Sequence, residues 1–202
     1  AGVSDVIEML FGSGKADVAA YAARSLLTHP PGTAWSYSSG TTNLVARAAA
    51  RAIGAAGETF REFMFRELFA PLGMTSASPK FDAAGTFIGS SFCYCTARDF
   101  ARFGLLYLRG GIWDGRRILT EGWVDYARTP TPVPETERLG YGAHWWLGMA
   151  GPGSFSANGY EGQYTVLLPE LDLILVRNGK SPDAQKEAVQ GWLAEVAGCF
   201  SG

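Results

Sequence analysis

The sequence is poor in the groups from which metal centres, redox sites and nucleic-acid surfaces are built. It has only two histidines, His29 and His144, and no H-E-x-x-H, so a metal centre has little to be assembled from and no cofactor is implied. Its three cysteines are an odd number, which offers no disulfide framework and leaves room for one bridge at most. Cys93 and Cys95 lie two apart, on one face if in a strand, and lack the C-x-x-C spacing of a zinc or redox site; small buried hydrophobes is the simpler description. Basic residues (17) fall short of acidic ones (19), the net charge is −2, and Arg116-Arg117 is the only adjacent basic pair, which argues against a nucleic-acid surface. No apolar run reaches the roughly 18 residues that cross a bilayer. Neither a signal-peptide pattern nor an initiator methionine opens the chain, and the compartment stays open. Lysine is scarce too. Three residues before the four lysines, Lys15, Lys80, Lys180 and Lys186, stand Gly12, Ala77, Arg177 and Asp183, so there is no S-x-x-K; a G-x-S-x-G is absent as well.

What is present suits a folded, core-bearing chain. Hydrophobic residues make up 47% and charged residues 18% of 202 positions, which excludes a disordered tail and allows one large domain or two small lobes. Apolar spacing predicts helices over Val3 to Phe11, Asp17 to Leu27 and Phe60 to Phe69, the last capped by Thr59. Residues from Pro79 to Ser91 read as irregular or briefly extended. Thr96 caps a helix to Leu108, Asp114-Gly115 makes a hairpin turn, and Thr120 caps a helix from Glu121 to Arg128, ahead of a proline-spaced linker from Pro130 to Pro134. From Tyr141 the period changes to that of strands: Tyr141 to Leu147, Phe155 to Gly159, Gln163 to Leu168 and Leu171 to Arg177. Ser181-Pro182-Asp183 opens a last helix, to about Ala197. Helices, then consecutive strands, then one covering helix make an α+β arrangement, with a mainly helical lobe over 1–137 and an antiparallel sheet with its C-terminal helix over 138–202.

One stretch has chemical promise: Pro30-Pro31-Gly32-Thr33-Ala34-Trp35-Ser36-Tyr37-Ser38-Ser39-Gly40. Two prolines and a glycine make a stiff turn. A helix follows to Ile53, with Thr41 or Thr42 as cap and Gly54 as stop. Tyr37 therefore stands on a rigid loop ahead of a helix N-terminus, where a phenol can exchange protons with a substrate or a nucleophile. A proline turn, a tyrosine and a capped helix are equally ordinary structure, and the stretch alone does not choose. His144 and Glu161 likewise fit a rim histidine and a solvated loop acid.

Four segments together resemble the serine beta-lactamase and penicillin-binding-protein superfamily, and within it the class C-like serine hydrolases and esterases similar to 6-aminohexanoate-dimer hydrolases. They are Pro31 to Gly40, Thr96 to Gly104, Tyr141 to Trp146, and Gly159-Tyr160-Glu161-Gly162-Gln163 with Val166 to Glu170. They run in family order across nearly the whole chain. The resemblance implies a beta-lactamase/transpeptidase-like fold and acyl transfer through a serine ester. In that chemistry the serine and lysine of an S-x-x-K and the tyrosine of a Y-x-N manage one proton, and a K-T-G-like strand lines the site. Tyr37 matches the tyrosine. Ser39 falls where asparagine is common. Asn158 and Gly159 fall on the K-T-G-like strand without its lysine, which tilts the substrate from a lactam carboxylate toward a small-molecule ester or amide. The N–H of Tyr160 is the matching oxyanion donor.

The S-x-x-K itself lies upstream in the family, so the resemblance implies that this chain is the C-terminal portion of a longer hydrolase, without its first strands and nucleophile helix. A missing N-terminal segment or a complementing chain would then cover the bared surface. The alternatives are a non-catalytic relative that binds a peptide or cell-wall fragment, which the departures at Ser39 and Asn158 keep open, and a purely structural module.

Overall fold

The structure, a computed structural model, describes residues 4–133 and 140–200. The chain divides into two compact units, one of Ala1–Ala70 with Ser76–Tyr94 and one of Pro71–Thr75 with Cys95–Gly202. The boundary expected between residues 137 and 138, like the end of the linker at Pro134, lies outside the described residues.

The first unit is helical. Helix α1 (Asp5–Phe11) is capped by Ser4, and α2 (Val18–Ala22) by Asp17. Helix α3 (Ser39–Gly54) follows, then α4 (Phe60–Met64), which Thr59 and Glu62 close with a capping box. The next turn, Phe65–Phe69, widens to a π-helix. Strands β1 (Ser78–Pro79) and β2 (Cys93–Tyr94) pair antiparallel around the irregular segment between them. Met9, Val18 and Ile88 form the core, with Leu10, Tyr21, Ala22 and Phe92 packed on it.

Sequence periodicity overran in places. Helix α2 stops at Ala22 instead of Leu27, because Leu26 and Leu27 are exposed and have no apolar face to complete. The cap of α3 is Ser38, not Thr41 or Thr42: the Ser38 hydroxyl accepts from the Thr41 N–H at 3.3 Å, and the helix starts at Ser39, three or four residues earlier than those caps imply.

The second unit is a sheet between helices. Helix α5 (Ala97–Leu108) starts where expected, the Thr96 hydroxyl accepting from the Asp99 N–H at 3.3 Å. Strands β3 (Ile112–Trp113) and β4 (Arg116–Arg117) pair antiparallel through Asp114 and Gly115, both at positive φ, the geometry of a tight hairpin turn. Helix α6 (Trp123–Arg128) is preceded by Gly122 in the left-handed region, so Thr120 is not its cap.

The single strand expected over Tyr141 to Leu147 is two, β5 (Gly140–Tyr141) and β6 (Trp146–Leu147), folded on each other through His144 at φ 65°. Gly142 is required there: a Cβ would stand 2.1 Å from the Ala127 carbonyl oxygen. Strands β7 (Phe155–Gly159), β8 (Gln163–Leu168) and β9 (Leu173–Arg177) complete an antiparallel sheet in simple chain order. Helix α7 (Lys186–Gly198) ends the described fold, after a 3-10 turn at Asp183–Gln185.

Alternation on β8 and β9 feeds both faces of the sheet. Tyr164, Val166 and Leu168 pack with Leu173 and Leu175 against Leu193 and Ala197 of α7. Leu167 and Ile174 turn the other way, into a cluster with Phe103 and Tyr107 of α5, Trp145 and Phe155. The arrangement is α+β, an antiparallel sheet with a C-terminal helix over one face, as the order of elements implied.

Asp17 joins the cap of α2 to α3. Its Oδ1 accepts from the Ala20 N–H at 2.8 Å and from Arg47 Nη2 at 2.6 Å, and these bonds hold its carboxyl below the ordinary carboxylate value. Because the folded value is depressed, this contribution is present above about pH 4 and fades as pH falls through the folded value. Asp17→Ala is expected to lower stability by about 1–2 kcal/mol at pH 7, and the difference from the parent to shrink at pH 3, measured by urea unfolding at both values.

Candidate active site

Tyr37 sits on a segment that is stiff at both ends. Upstream, Gly32 turns at φ 78°, and both the Thr33 N–H (3.2 Å) and the Thr33 hydroxyl (2.7 Å) donate to the Pro30 carbonyl. Downstream, Ser38 caps α3, so the tyrosine stands two residues ahead of the first helical residue, Ser39. Helix α3 is in turn braced from below. Asn43, fully buried, donates through Nδ2 to the Ser90 hydroxyl at 3.2 Å and accepts the Ser90 N–H at 3.4 Å. One turn on, Arg47 reaches Asp17 and also donates through Nε to the Thr86 hydroxyl at 2.7 Å. Asp82 closes the frame, accepting the Val18 N–H at 2.9 Å and the Thr86 N–H at 2.7 Å. Neither Asn43 nor Arg47 was singled out from sequence. A polar residue and an arginine four apart inside an otherwise Ala-rich helix were the available signal.

The Tyr37 side chain is 53% exposed, and the burial of the remainder pushes its phenol above the ordinary value near 10. Burial is the cause of that shift. Tyr37 is thus accessible but, by itself, an acid too weak to be a proton acceptor at neutral pH. Ser39 lies beside it on the first turn of α3, half-buried.

The other three candidates gather at one hairpin of the second unit. Asn158 pairs with Tyr164 and Gly159 with Gln163 at the end of β7 and start of β8. Between them Tyr160 is 88% exposed, while Glu161 and Gly162 take positive φ to turn the chain. The Asn158 Oδ1 is buried and accepts no hydrogen bond among the described residues, an unmet acceptor at the position where the resemblance expects a lysine.

The hairpin is tied down from its far side. Arg177 donates to the Gly162 carbonyl at 2.5 Å, to the Gly179 carbonyl at 2.9 Å and to the Ser181 hydroxyl at 2.8 Å. Gln163 clasps Gly179 in both directions, at 2.6 and 2.9 Å, and the Ser181 N–H donates to the Glu161 carbonyl at 2.8 Å. Arg177 was read from sequence only as the last residue of a strand. Trp145 is buried and Trp146 only partly so, His144 is an exposed turn residue, and Glu161 pairs with Lys180 at 3.3 Å. Among the described residues no group of three or more His, Cys, Asp or Glu is placed to hold a metal ion, and no helix is long and apolar enough to cross a membrane.

A family model for beta-lactamases matches residues 2–196, almost the entire chain. The chain belongs to the beta-lactamase family. It is similar to a 6-aminohexanoate-dimer hydrolase of Paenarthrobacter ureafaciens, at 33% identity over 98 residues that cover 44% of this chain and 25% of that enzyme. Among solved structures it is similar to a Bacillus anthracis protein provisionally named 6-aminohexanoate-dimer hydrolase, with a TM-score of 0.72 and 23% identity over 89% of this chain. A beta-lactamase from Mycobacterium bovis gives 0.68 and 18% over 85% of the chain. At these identities the structural matches establish a shared fold. The chain spans 48% of the Bacillus structure and 66% of the Mycobacterium one.

The burial of part of the Tyr37 phenol has a direct readout. In an alkaline absorbance titration, the difference between the parent and Tyr37→Phe is expected to isolate one phenol with a midpoint above 10; a midpoint below 9 would reveal a neighbouring cation.

Proposed function

We propose that this beta-lactamase-family chain forms part of a serine hydrolase that cleaves a small ester, amide or lactam through an acyl-enzyme. In this reading a serine Oγ bonds to the substrate carbonyl carbon, and its proton passes through Tyr37 and a lysine to the leaving alcohol or amine as the carbonyl–leaving-group bond breaks. Water then adds to the ester, giving up its proton along the same route, and releases the acid. Ser39, Asn158 and Gly159 bind the acyl portion, and the Tyr160 N–H donates to the oxyanion. The serine and lysine come from an S-x-x-K outside these 202 residues, since no lysine here has a serine three positions before it.

The observation that carries this reading is Tyr37: an accessible phenol on a loop fixed between a proline turn and a capped, braced helix. Its raised pKa fits the division of labour, because a tyrosine needs the missing ammonium beside it to accept a proton near pH 7. The name of the Paenarthrobacter relative favours an amide of an aliphatic amino acid among the substrate classes. A second reading, a non-catalytic relative that binds a peptide or cell-wall fragment, draws on the unmet acceptor of Asn158, which suits a bound donor without chemistry.

Two experiments separate these readings. The 202-residue chain alone is expected to show no serine-dependent turnover of p-nitrophenyl esters or of a short aliphatic amide. In the natural gene product, a fluorophosphonate is expected to label a serine upstream of Tyr37, and Tyr37→Phe to lower kcat by about 10²- to 10⁴-fold with little change in KM. A gene product that binds such compounds but neither turns them over nor takes the label belongs to the second reading.

A further inference from the structure

Residues 148–154, which connect β6 to β7, stand against the end of α6 and leave a recess of about 460 Å³ between them. Asp125, Arg128, Leu147, Gly148, Gly153 and Ser154 line it, all of them in the second unit. Its size falls within the roughly 300–1,000 Å³ of small-molecule sites. It lies at the opposite end of β7 from the hairpin at 158–163, since Phe155 and Gly159 are separated by about 13 Å at ~3.3 Å of rise per residue. The wall made by the connection is fixed. Ser154 is buried, its hydroxyl donates to the Gly151 carbonyl at 2.7 Å and accepts the Ala150 N–H at 3.1 Å, and the Gly148 N–H donates to the Ser154 carbonyl at 2.8 Å.

Two opposite charges on this recess do not meet. Asp125 and Arg128 are three apart on one helix, the spacing at which Arg102 reaches Asp99 at 2.6 Å on α5. On α6 the arginine is held elsewhere. Arg128 Cζ lies 4.9 Å from the centroid of the Phe155 ring, and its Nη2 donates to the Gly153 carbonyl at 3.3 Å. A ring face and a carbonyl together outweigh an exposed helical ion pair, which gains little in water. Among the described residues the Asp125 carboxylate has no hydrogen-bond or ionic partner, and Arg128 keeps most of its five donors unused. The recess therefore presents an anchored guanidinium and a carboxylate, neither of them neutralised, beside the apolar side chain of Leu147.

We propose that this recess binds a small zwitterion, an amino acid or ω-amino acid, with its carboxylate on Arg128 and its ammonium on Asp125. The planar fork of a guanidinium matches a carboxylate at two points. Charge balance selects the class. A simple carboxylate would face Asp125, a simple amine would face Arg128, and a dipolar ligand leaves neither charge opposed. The site uses neither Tyr37 nor the hairpin, so it goes beyond the functional reading and stands or falls independently of it.

The test is isothermal titration of the natural gene product with glycine, 4-aminobutyrate and 6-aminohexanoate, which span a range of charge separations, against butyrate and butylamine. At least one zwitterion is expected to bind with a Kd of about 1 mM or tighter, and both single-charge compounds at least ~10-fold more weakly. Asp125→Asn and Arg128→Gln are each expected to weaken that zwitterion at least ~10-fold. Asp125 is exposed and its carboxylate makes no bond, so Asp125→Asn is expected to keep the parent's urea midpoint, and it carries the test even where Arg128→Gln, which loses the Phe155 ring, unfolds more readily. At saturation the amides of 147–154 are expected to exchange more slowly. The inference is overturned if no zwitterion of the series binds, if butyrate or butylamine binds as tightly, if Asp125→Asn leaves the affinity unchanged, or if exchange across 147–154 does not move.

Discussion

The position of Tyr37 depends on a buried polar contact that it does not make itself: the insertion of Asn43 and Arg47 of α3 into the frame of Asp17, Asp82, Thr86 and Ser90. A helix rich in alanine has little apolar bulk with which to fix its rotation, and sliding or turning it would cost few side-chain contacts. Directional bonds solve that problem. Asn43 meets one residue, Ser90, through both ends of its amide, donating to the hydroxyl and accepting from the backbone N–H, and Arg47 spans two partners that come from different segments. Breaking either leaves a buried donor or acceptor unmet, which costs about 1–3 kcal/mol, far more than the net gain of an exposed bond. The loop carrying Tyr37 inherits this stiffness through Ser38.

The second unit uses a different device for its hairpin. There the guanidinium of Arg177 satisfies main-chain carbonyls on two loops, and Gln163 pairs with Gly179 like an extra rung of sheet. The candidate residues Asn158, Gly159 and Tyr160 are thereby carried on a turn whose backbone has few alternatives. Gly159 adds a steric condition, since a Cβ there would stand 2.8 Å from Gln163 Cβ. In each unit the candidate residues rest on a locally fixed backbone.

Element types were largely legible in the sequence, because most segments bury one face and the period of that face survives in the residue order. Thr59 and Thr96 announced their helices, and Asp114-Gly115 announced its hairpin. Failures had local causes. Leu26 and Leu27 continue the pattern of α2 although they are exposed, so periodicity alone could not find the stop. Three hydroxyl residues compete to cap α3, and their order is decided by backbone geometry that side-chain identity does not encode. The aromatic run from Tyr141 concealed a reversal at His144, where positive φ, uncommon outside glycine, has no glycine to announce it. At the candidate site, the chemically expressive residues were visible and their supports were not: Asn43 and Arg47 act through Ser90, Thr86 and Asp17, 30 to 47 residues away in the chain, and Arg177 through Gly162, 15 residues away, and pattern has no access to contacts of that range.

Gly104 offers a last consequence. The missing side chain lets α5 settle onto β8 and β9, with Ile174 and Thr165 methyl groups filling the place where a Cβ would be. Positions 104, 165 and 174 thus share one fixed volume. A lineage that acquires alanine at 104 must shift these methyl groups by a few tenths of an ångström or trim one of them, so the three sites are expected to drift together across homologues.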